Sequence, residues 1–170
     1  KTEVYMQVAA EVLKKGRFVL VLVPEIGLTP QLLGRLQQRL GSVVVSSHSA
    51  QSEWLRYQAW DQFRRGAARV MLGTRSALFA QSDTIGLIVI DEEHDSSYKQ
   101  EDGTIYNARD MAVVRASLGQ HAVVLASATP SIESHVNART GRYHHAVLPG
   151  RFSGVEMPDI EAVDMRGAPP

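Results

Sequence analysis

Short apolar runs that alternate with segments of helical periodicity constrain the fold of this chain more than any other feature. The runs cover residues 18–23, 43–46, 69–72, 87–90 and 122–126. Apolar residues at helical spacing lie between them, and the predicted helices begin after N-capping residues such as Thr29, Ser52 and Asn107. Strands that alternate with helices favour a parallel sheet covered by helices on both faces. We therefore predict a three-layer α/β domain with a doubly wound parallel sheet.

The C-terminal part of the sequence departs from this pattern. From Gly141 onward the periodicity weakens, prolines and glycines become frequent, and only residues 160–163 suggest another strand. We therefore divide the chain into a domain of residues 1–142 and a segment of residues 143–170, which holds a last strand and a linker.

Composition excludes several classes of protein. The 18 Lys and Arg residues balance the 18 Asp and Glu residues, so no overall basic charge indicates a nucleic-acid partner. The longest apolar run is far shorter than the roughly 20 residues of a membrane-spanning helix. The chain has no cysteine, which excludes disulfides and a cysteine zinc site in this segment. We expect no membrane partner and a cytoplasmic location.

The most informative polar cluster follows the apolar run 87–90, where Asp91, Glu92, Glu93 and His94 come in succession. Parallel sheets bind ligands beyond the carboxyl ends of their strands, and this strand would deliver three carboxylates and an imidazole there. A Mg²⁺–nucleotide site needs one carboxylate for the ion and a second acceptor for the attacking water, roles open to Asp91 and Glu92. A solvated acidic turn is the alternative.

Hydroxyl residues follow the next strand, at Ser127, Thr129 and Ser131. They lie on the same predicted edge, where they could hydrogen-bond to His94 or to a carboxylate. Ser131 could equally be a helix cap and nothing more. We predict no metal site formed by protein ligands alone, since only His94 of the six histidines lies in a cluster with possible chemistry.

Aromatic and cationic residues flank the loop 100–105, at Tyr98, Lys99, Tyr106 and Arg109. Aromatic faces beside cations suit base stacking and phosphate contact. Packing is an equally good interpretation for Tyr106. We assign another aromatic group, on the helix predicted after Ser52, mainly to packing; its members are Trp54, Tyr57 and Trp60.

Taken in order, five segments resemble the motifs of superfamily-two helicases of the DEAH type. They are Lys1-Thr2, residues 23–29, residues 73–77, Asp91-Glu92-Glu93-His94 and residues 127–131. The stretch 91–116 specifically resembles the bacterial primosomal helicases of replication restart. The resemblance covers essentially the whole chain and implies a RecA-like motor lobe of the P-loop NTPase class.

The resemblance implies an ATP-dependent 3′-to-5′ DNA helicase that uses Mg²⁺, acts on single-stranded and forked DNA, and works with single-stranded DNA-binding protein and primosome proteins. It assigns phosphate contact to Lys1, Mg²⁺ to Thr2 and Asp91, the attacking water to Glu92 and γ-phosphate sensing to His94. The coupling residues it implies are Ser127, Thr129, Tyr98 and Tyr106. The DNA-contacting residues are Pro24, Gly27, Thr29, Gly73, Thr74, Arg75 and Ser76, with Lys99 and Arg109 beside them.

Compared with that family, the chain begins within the phosphate-binding loop, without the preceding strand and glycines. The resemblance places the second lobe, and cysteines that bind Zn²⁺, elsewhere in a full-length protein. We therefore expect this segment alone to be inactive in ATP hydrolysis and to aggregate or remain partly molten. Two alternatives stay open, namely another superfamily-two translocase and a non-catalytic nucleotide-fold binding module.

Overall fold

Five parallel strands form the central sheet of the computed structural model, which describes residues 1–27, 29–41 and 44–150. The strands are β1 (Phe18–Leu22), β2 (Val44–Ser47), β3 (Val70–Gly73), β4 (Ile85–Asp91) and β7 (Ala122–Ala126), in the spatial order β2-β3-β1-β4-β7. A separate antiparallel hairpin pairs β5 (Lys99–Gln100) with β6 (Tyr106–Asn107). The parallel sheet is confirmed, whereas the hairpin has no strand signal in the sequence.

Five helices accompany the strands, and the N-caps of α2, α3, α4 and α5 are the ones that the sequence predicts. The helices are α1 (Thr2–Lys14), α2 (Pro30–Leu40), α3 (Glu53–Arg64), α4 (Ala108–Gly119) and α5 (Ile132–Arg139). Side chains of Thr29, Ser52, Asn107 and Ser131 accept hydrogen bonds from backbone N–H groups of the first turns of α2, α3, α4 and α5. Three short 3₁₀-helices, Glu25–Gly27, Arg75–Phe79 and Ser96–Tyr98, complete the described elements.

Two apolar cores cover the two faces of the sheet, because side chains alternate along each strand. Residues such as Val19, Val21 and Val89 pack with Tyr5 of α1 and Leu36 of α2. On the opposite face, strand residues pack against side chains of α3, α4 and the 3₁₀-helix Arg75–Phe79; they are Leu20, Leu22, Ile88 and Ile90. The sheet therefore lies between two helical layers, as predicted.

The structure changes the interpretation of the aromatic residues on α3. Trp54 and Tyr57 stack on each other at the surface of α3 and are 64% and 60% exposed, so their assignment to packing is wrong. Trp60 does pack against the core, and its indole nitrogen donates to Ser47 Oγ at 3.0 Å.

The predicted strand at 160–163 lies outside the described residues, and residues 143–150 form neither helix nor strand.

Candidate functional site

The polar segments singled out in the sequence follow the carboxyl ends of neighbouring strands. Leu22 of β1 pairs with Gly73 of β3 and with Ile90 of β4, and Asp91 pairs with Ala126 of β7. The segments 24–27, 73–76, 91–94 and 127–131 therefore leave the sheet side by side, at the carboxyl ends of its strands. Ligands bind at this edge in open parallel sheets.

Glu92 begins the turn after β4 with a backbone conformation that is uncommon for its residue type. Its φ is +47°, in the left-handed region that glycine or asparagine usually occupies. The backbone N–H of Glu92 donates to Asp91 Oδ1 at 3.1 Å, and its Oε1 lies 2.5 Å from Lys1 Nζ. Strained non-glycine residues cluster at functional sites, so this outlier is an independent indication of function at Glu92.

Asp91 is held from the side of helix α1. The hydroxyl of Tyr5 donates to Asp91 Oδ2 at 3.0 Å. Burial raises the pKa of Tyr5, and the negative charge of Asp91 raises it further, so the hydroxyl remains a donor at neutral pH. One oxygen of Asp91 is thus fixed by α1 and the other by the backbone of Glu92.

His94 joins the turn after β4 to the hydroxyl segment after β7. Its Nδ1 lies 2.7 Å from Ser127 Oγ and 3.8 Å from Glu92 Oε2. The backbone N–H of Thr129 donates to the same Ser127 Oγ at 2.9 Å. The predicted contact between His94 and this segment is confirmed.

Glu93 lies on the opposite side of the turn from the other two carboxylates. It is 2% exposed, so, of the three carboxylates that the sequence predicts at this end of the strand, Glu93 is buried. Its Oε1 accepts from the backbone N–H of Ser131 at 2.7 Å, and its Oε2 accepts from the hydroxyls of Ser131 and Ser134. Ser131 is therefore a helix cap and also a partner of the acidic turn.

Tyr98 is buried and joins two strands. Its hydroxyl lies 2.6 Å from the carbonyl oxygen of Asp91 and 3.0 Å from that of Leu22. Burial raises the pKa of Tyr98, as does the charge of Asp91, so the hydroxyl can donate to either carbonyl. Tyr106 at the other end of the hairpin is partly buried, with its ring edge-on to Phe79 at 5.3 Å between centroids.

The residues assigned to DNA contact divide into exposed and enclosed groups. Lys99 and Ser76 are exposed, whereas Thr74 is buried and its N–H donates to Ser47 O. Arg75 Nη1 donates to the carbonyls of Ser97 and Lys99, which links the segment 73–76 to the hairpin. The remaining predicted positions lie at the same edge: Pro24 after β1, Gly27 in the first 3₁₀-helix and Thr29 at the cap of α2.

Arg109 differs most from its sequence interpretation. Its guanidinium lies within 4 Å of Glu93, Asp110 and Glu133, and the residue is 8% exposed. Burial alone would lower the pKa of Arg109, but the hydrogen bond with Asp110 and the other two carboxylates raise it. This setting favours a structural role over contact with DNA.

The residues near Asp91 suit a nucleotide with Mg²⁺. Among the described residues, no side chain caps the first turn of α1, so its N–H groups and the Lys1 ammonium offer donors to an anion beside the carboxylates. The described part of the chain contains no cluster of three or more metal-ligating side chains. Mg²⁺ does not need one, because it is usually held by one or two carboxylates, substrate phosphates and water.

Comparisons with known proteins agree with this geometry. A model of the DEAD/DEAH box helicase family matches residues 1–137. The chain is 49% identical over 151 residues to replication restart protein PriA of Haemophilus influenzae, and 45% identical over 166 residues to that of Bacillus subtilis. These alignments cover 89% and 98% of the chain but only 21% of each relative, so the chain spans about a fifth of their length.

Solved structures support the fold alone, since their sequences are distant. The C-terminal domain of the DEAD-box protein Dbp5 matches 82% of the chain and 79% of its own length, with a TM-score of 0.52 and 18% identity. The C-terminal part of the Fun30 ATPase domain matches 86% of the chain and 46% of its own length, with a TM-score of 0.52 and 14% identity. The chain has the RecA-like fold of helicase domains, and it belongs to the DEAD/DEAH box helicase family.

Proposed function

We propose that this chain is the first motor lobe of an ATP-driven 3′-to-5′ DNA helicase of bacterial replication restart. The observation that carries the proposal is the Asp91–Glu92 pair. Tyr5 of α1 and Lys1 before it contact this pair, and His94 connects it to Ser127. The PriA relatives support the biological setting. Forked and single-stranded DNA, single-stranded DNA-binding protein and primosome proteins are the proposed partners, and the bacterial cytoplasm is the proposed location.

The proposed ATP site uses residues from two elements. Lys1 and the N–H groups of α1 would bind phosphate, while Thr2 and Asp91 would hold Mg²⁺. Bound ATP would supply the phosphoryl group whose transfer to water drives movement. Glu92 would orient that water and accept its proton at the carboxylate. The chain has no cysteine, so the zinc site implied by the family resemblance has no ligands here.

We propose that the residues that couple ATP hydrolysis to DNA contact also lie at the carboxyl ends of the strands. The segments 24–29 and 73–76 would contact the strand, because both leave neighbouring strands on that side. The link from His94 to Ser127, continued by the N–H of Thr129, would transmit the nucleotide state.

Among the described residues, no helix is both long and apolar enough to span a membrane.

Glu92→Gln in the intact protein tests the proposed function. Glutamine keeps the size of the side chain but cannot take the proton, so ATP hydrolysis should fall by about 100-fold or more while ATP binding remains. Hydrolysis is measured with and without single-stranded DNA, and binding with a fluorescent ATP analogue. Glu11→Gln is the matched control, since Glu11 is an exposed glutamate on α1 that forms a surface ion pair with Lys14.

Two results would contradict the proposal. Near-normal hydrolysis by Glu92→Gln would remove Glu92 from its role. If the wild-type protein hydrolyses no ATP with or without DNA, the acidic turn is scaffolding, and the chain is a non-catalytic binding module.

A further inference from the structure

The buried carboxylate of Glu93 lies at the centre of a polar network that joins three elements. Ser131 contributes its backbone N–H at 2.7 Å and its hydroxyl at 2.9 Å, and the hydroxyl of Ser134 lies at 3.0 Å. Arg109 of α4 completes the network, with Nη1 at 3.4 Å from Oε2. The backbone N–H of Glu93 also donates to the carbonyl of Ala126 at the end of β7. The proposed ATP mechanism gives this side chain no role.

Within the described residues, helix α5 has few contacts besides this network and the ion pair between its Glu133 and Arg109. None of its residues is buried, and its apolar side chains Ile132 and Val136 are 80% and 49% exposed. A helix of eight residues is not stable by itself in water. A carboxylate at its N-terminus satisfies free N–H groups and interacts favourably with the helix dipole. The hydrogen bonds from Ser131 and Ser134 to Glu93 are therefore the main described attachment of α5 to the sheet.

The segment between β7 and α5 is held at both ends by consecutive residues of the acidic turn. His94 contacts Ser127 at its start, and Glu93 contacts Ser131 at its end. Since Glu92 precedes both, a displacement of this turn would move both ends of the segment together. Thr129, which is exposed, lies between the two attachment points.

We infer that Glu93 is a positioning residue that fixes α5 and the segment 127–131 to the turn carrying Asp91 and Glu92. Because this segment holds the proposed coupling residues Ser127 and Thr129, the attachment couples the contact of the protein with DNA to the hydrolysis of ATP. The coupling part of the inference rests on the proposed function, whereas the attachment of α5 does not. A purely structural role is the competing interpretation, because removing one partner of a buried ion pair such as Glu93–Arg109 also destabilises a protein.

Two measurements on Glu93→Ala in the intact protein separate these roles. The first is the ratio of ATP hydrolysis with saturating single-stranded DNA to hydrolysis without DNA. We expect this ratio to fall by about fivefold or more, the usual lower range of coupling between sites. Binding of a fluorescent ATP analogue should change little, since Glu93 does not face Asp91 or Lys1. The second measurement is amide hydrogen exchange, which should accelerate in 127–135 but not in β4.

Conservative and control variants sharpen the test. Glu93→Gln retains an acceptor for the N–H of Ser131, so it should restore part of the ratio. Glu133→Gln is the matched control, because Glu133 also pairs with Arg109 but is exposed, whereas the N–H and hydroxyl of Ser131 donate to Glu93. Its ratio should equal that of the wild type. If Glu93→Ala does not fold, Ser131→Ala combined with Ser134→Ala removes the two hydroxyl donors while the Arg109 pair remains.

The outcomes are distinguishable. A lower ratio together with faster exchange in 127–135 supports the inference. An unchanged ratio, or a proportional fall of both rates together with the melting temperature, overturns the coupling role. Unchanged exchange in α5 overturns the attachment. If wild-type hydrolysis does not respond to DNA at all, the proposed function fails, and hydrogen exchange still decides whether Glu93 holds α5.

Discussion

A single oxygen atom, the hydroxyl of Tyr98, joins the carboxyl ends of β1 and β4. It lies within hydrogen-bond distance of the carbonyls of Leu22 and Asp91, and the ring is 1% exposed. Tyr98→Phe would keep the ring but leave both carbonyls without this donor. An unsatisfied buried polar group costs about 1–3 kcal/mol, so we expect the free energy of unfolding to fall by about that amount. Urea denaturation of the variant and the wild type measures the change.

Tyr57→Phe is the control for this substitution. The change in covalent structure is identical, but Tyr57 is 60% exposed and water replaces any bond that its hydroxyl makes. We expect a change within about 0.5 kcal/mol, as for most surface substitutions. Equal effects of the two variants would show that the Tyr98 hydroxyl does not hold the strands together.

Sequence reasoning at the residue scale was limited by long-range partners. Asp91, Glu92 and Glu93 are adjacent acidic residues, and nothing local distinguishes the one that turns inward. The distinction depends on Lys1 and on Ser131, which are distant in sequence. Likewise, the sequence does not show that Arg109 pairs with Glu93 and Glu133, because only the fold places these residues together.

At the scale of elements, much more could be predicted, because helices and strands of this fold are specified locally. Capping residues and apolar spacing predict the N-caps of α2, α3 and α4, and they place the start of α5 within one residue. The buried strands appear as apolar runs because helices cover both faces of the sheet. The hairpin β5–β6 is invisible to such reasoning, since two residues on each strand are too few to show a period.

Close packing between elements explains why glycine occupies position 73. A Cβ at Gly73 would lie 2.4 Å from Ala77 Cβ and 2.6 Å from the carbonyl oxygen of Ser47, and backbone must move to relieve the second contact. We expect Gly73→Ala to lower the free energy of unfolding by about 1–3 kcal/mol, which is typical of overpacking. Thermal and urea denaturation measure the loss.

Gly34→Ala is the matched control and should have the opposite sign. Gly34 lies on the exposed side of α2, and a Cβ there would meet nothing within 4 Å. Alanine is a better helix former than glycine, so we expect stabilisation by about 0.5–1 kcal/mol. If Gly73→Ala is also neutral or stabilising, β2, β3 and the following 3₁₀-helix do not pack as tightly as described.

At the scale of the whole molecule, apolar surface is distributed unevenly. The buried strands β1, β3 and β4 lie in the middle of the sheet, whereas β7 forms one edge of it within the described residues. The first residue of β7 is exposed, and the four residues that follow it are only partly buried. Exposed apolar residues of α4 and α5 occur on the neighbouring helices; they include Leu118, Ile132 and Val136. Within the described residues, β7 therefore has no strand on its outer side, and apolar side chains are exposed on α4 and α5.

Strand edges without a partner and exposed apolar side chains both promote association, so we expect residues 1–170, prepared as an isolated polypeptide, to self-associate. Light scattering should show a mass that rises with concentration, and the thermal transition should be broad. Ala122→Lys places a charge at the start of the β7 edge, whereas Leu118→Lys changes only the helix surface. If pairing along β7 is the cause, the first variant should reduce association more than the second. A monomer with a sharp, cooperative transition would contradict the prediction, because it would require β7 and α5 to be stable without a further partner.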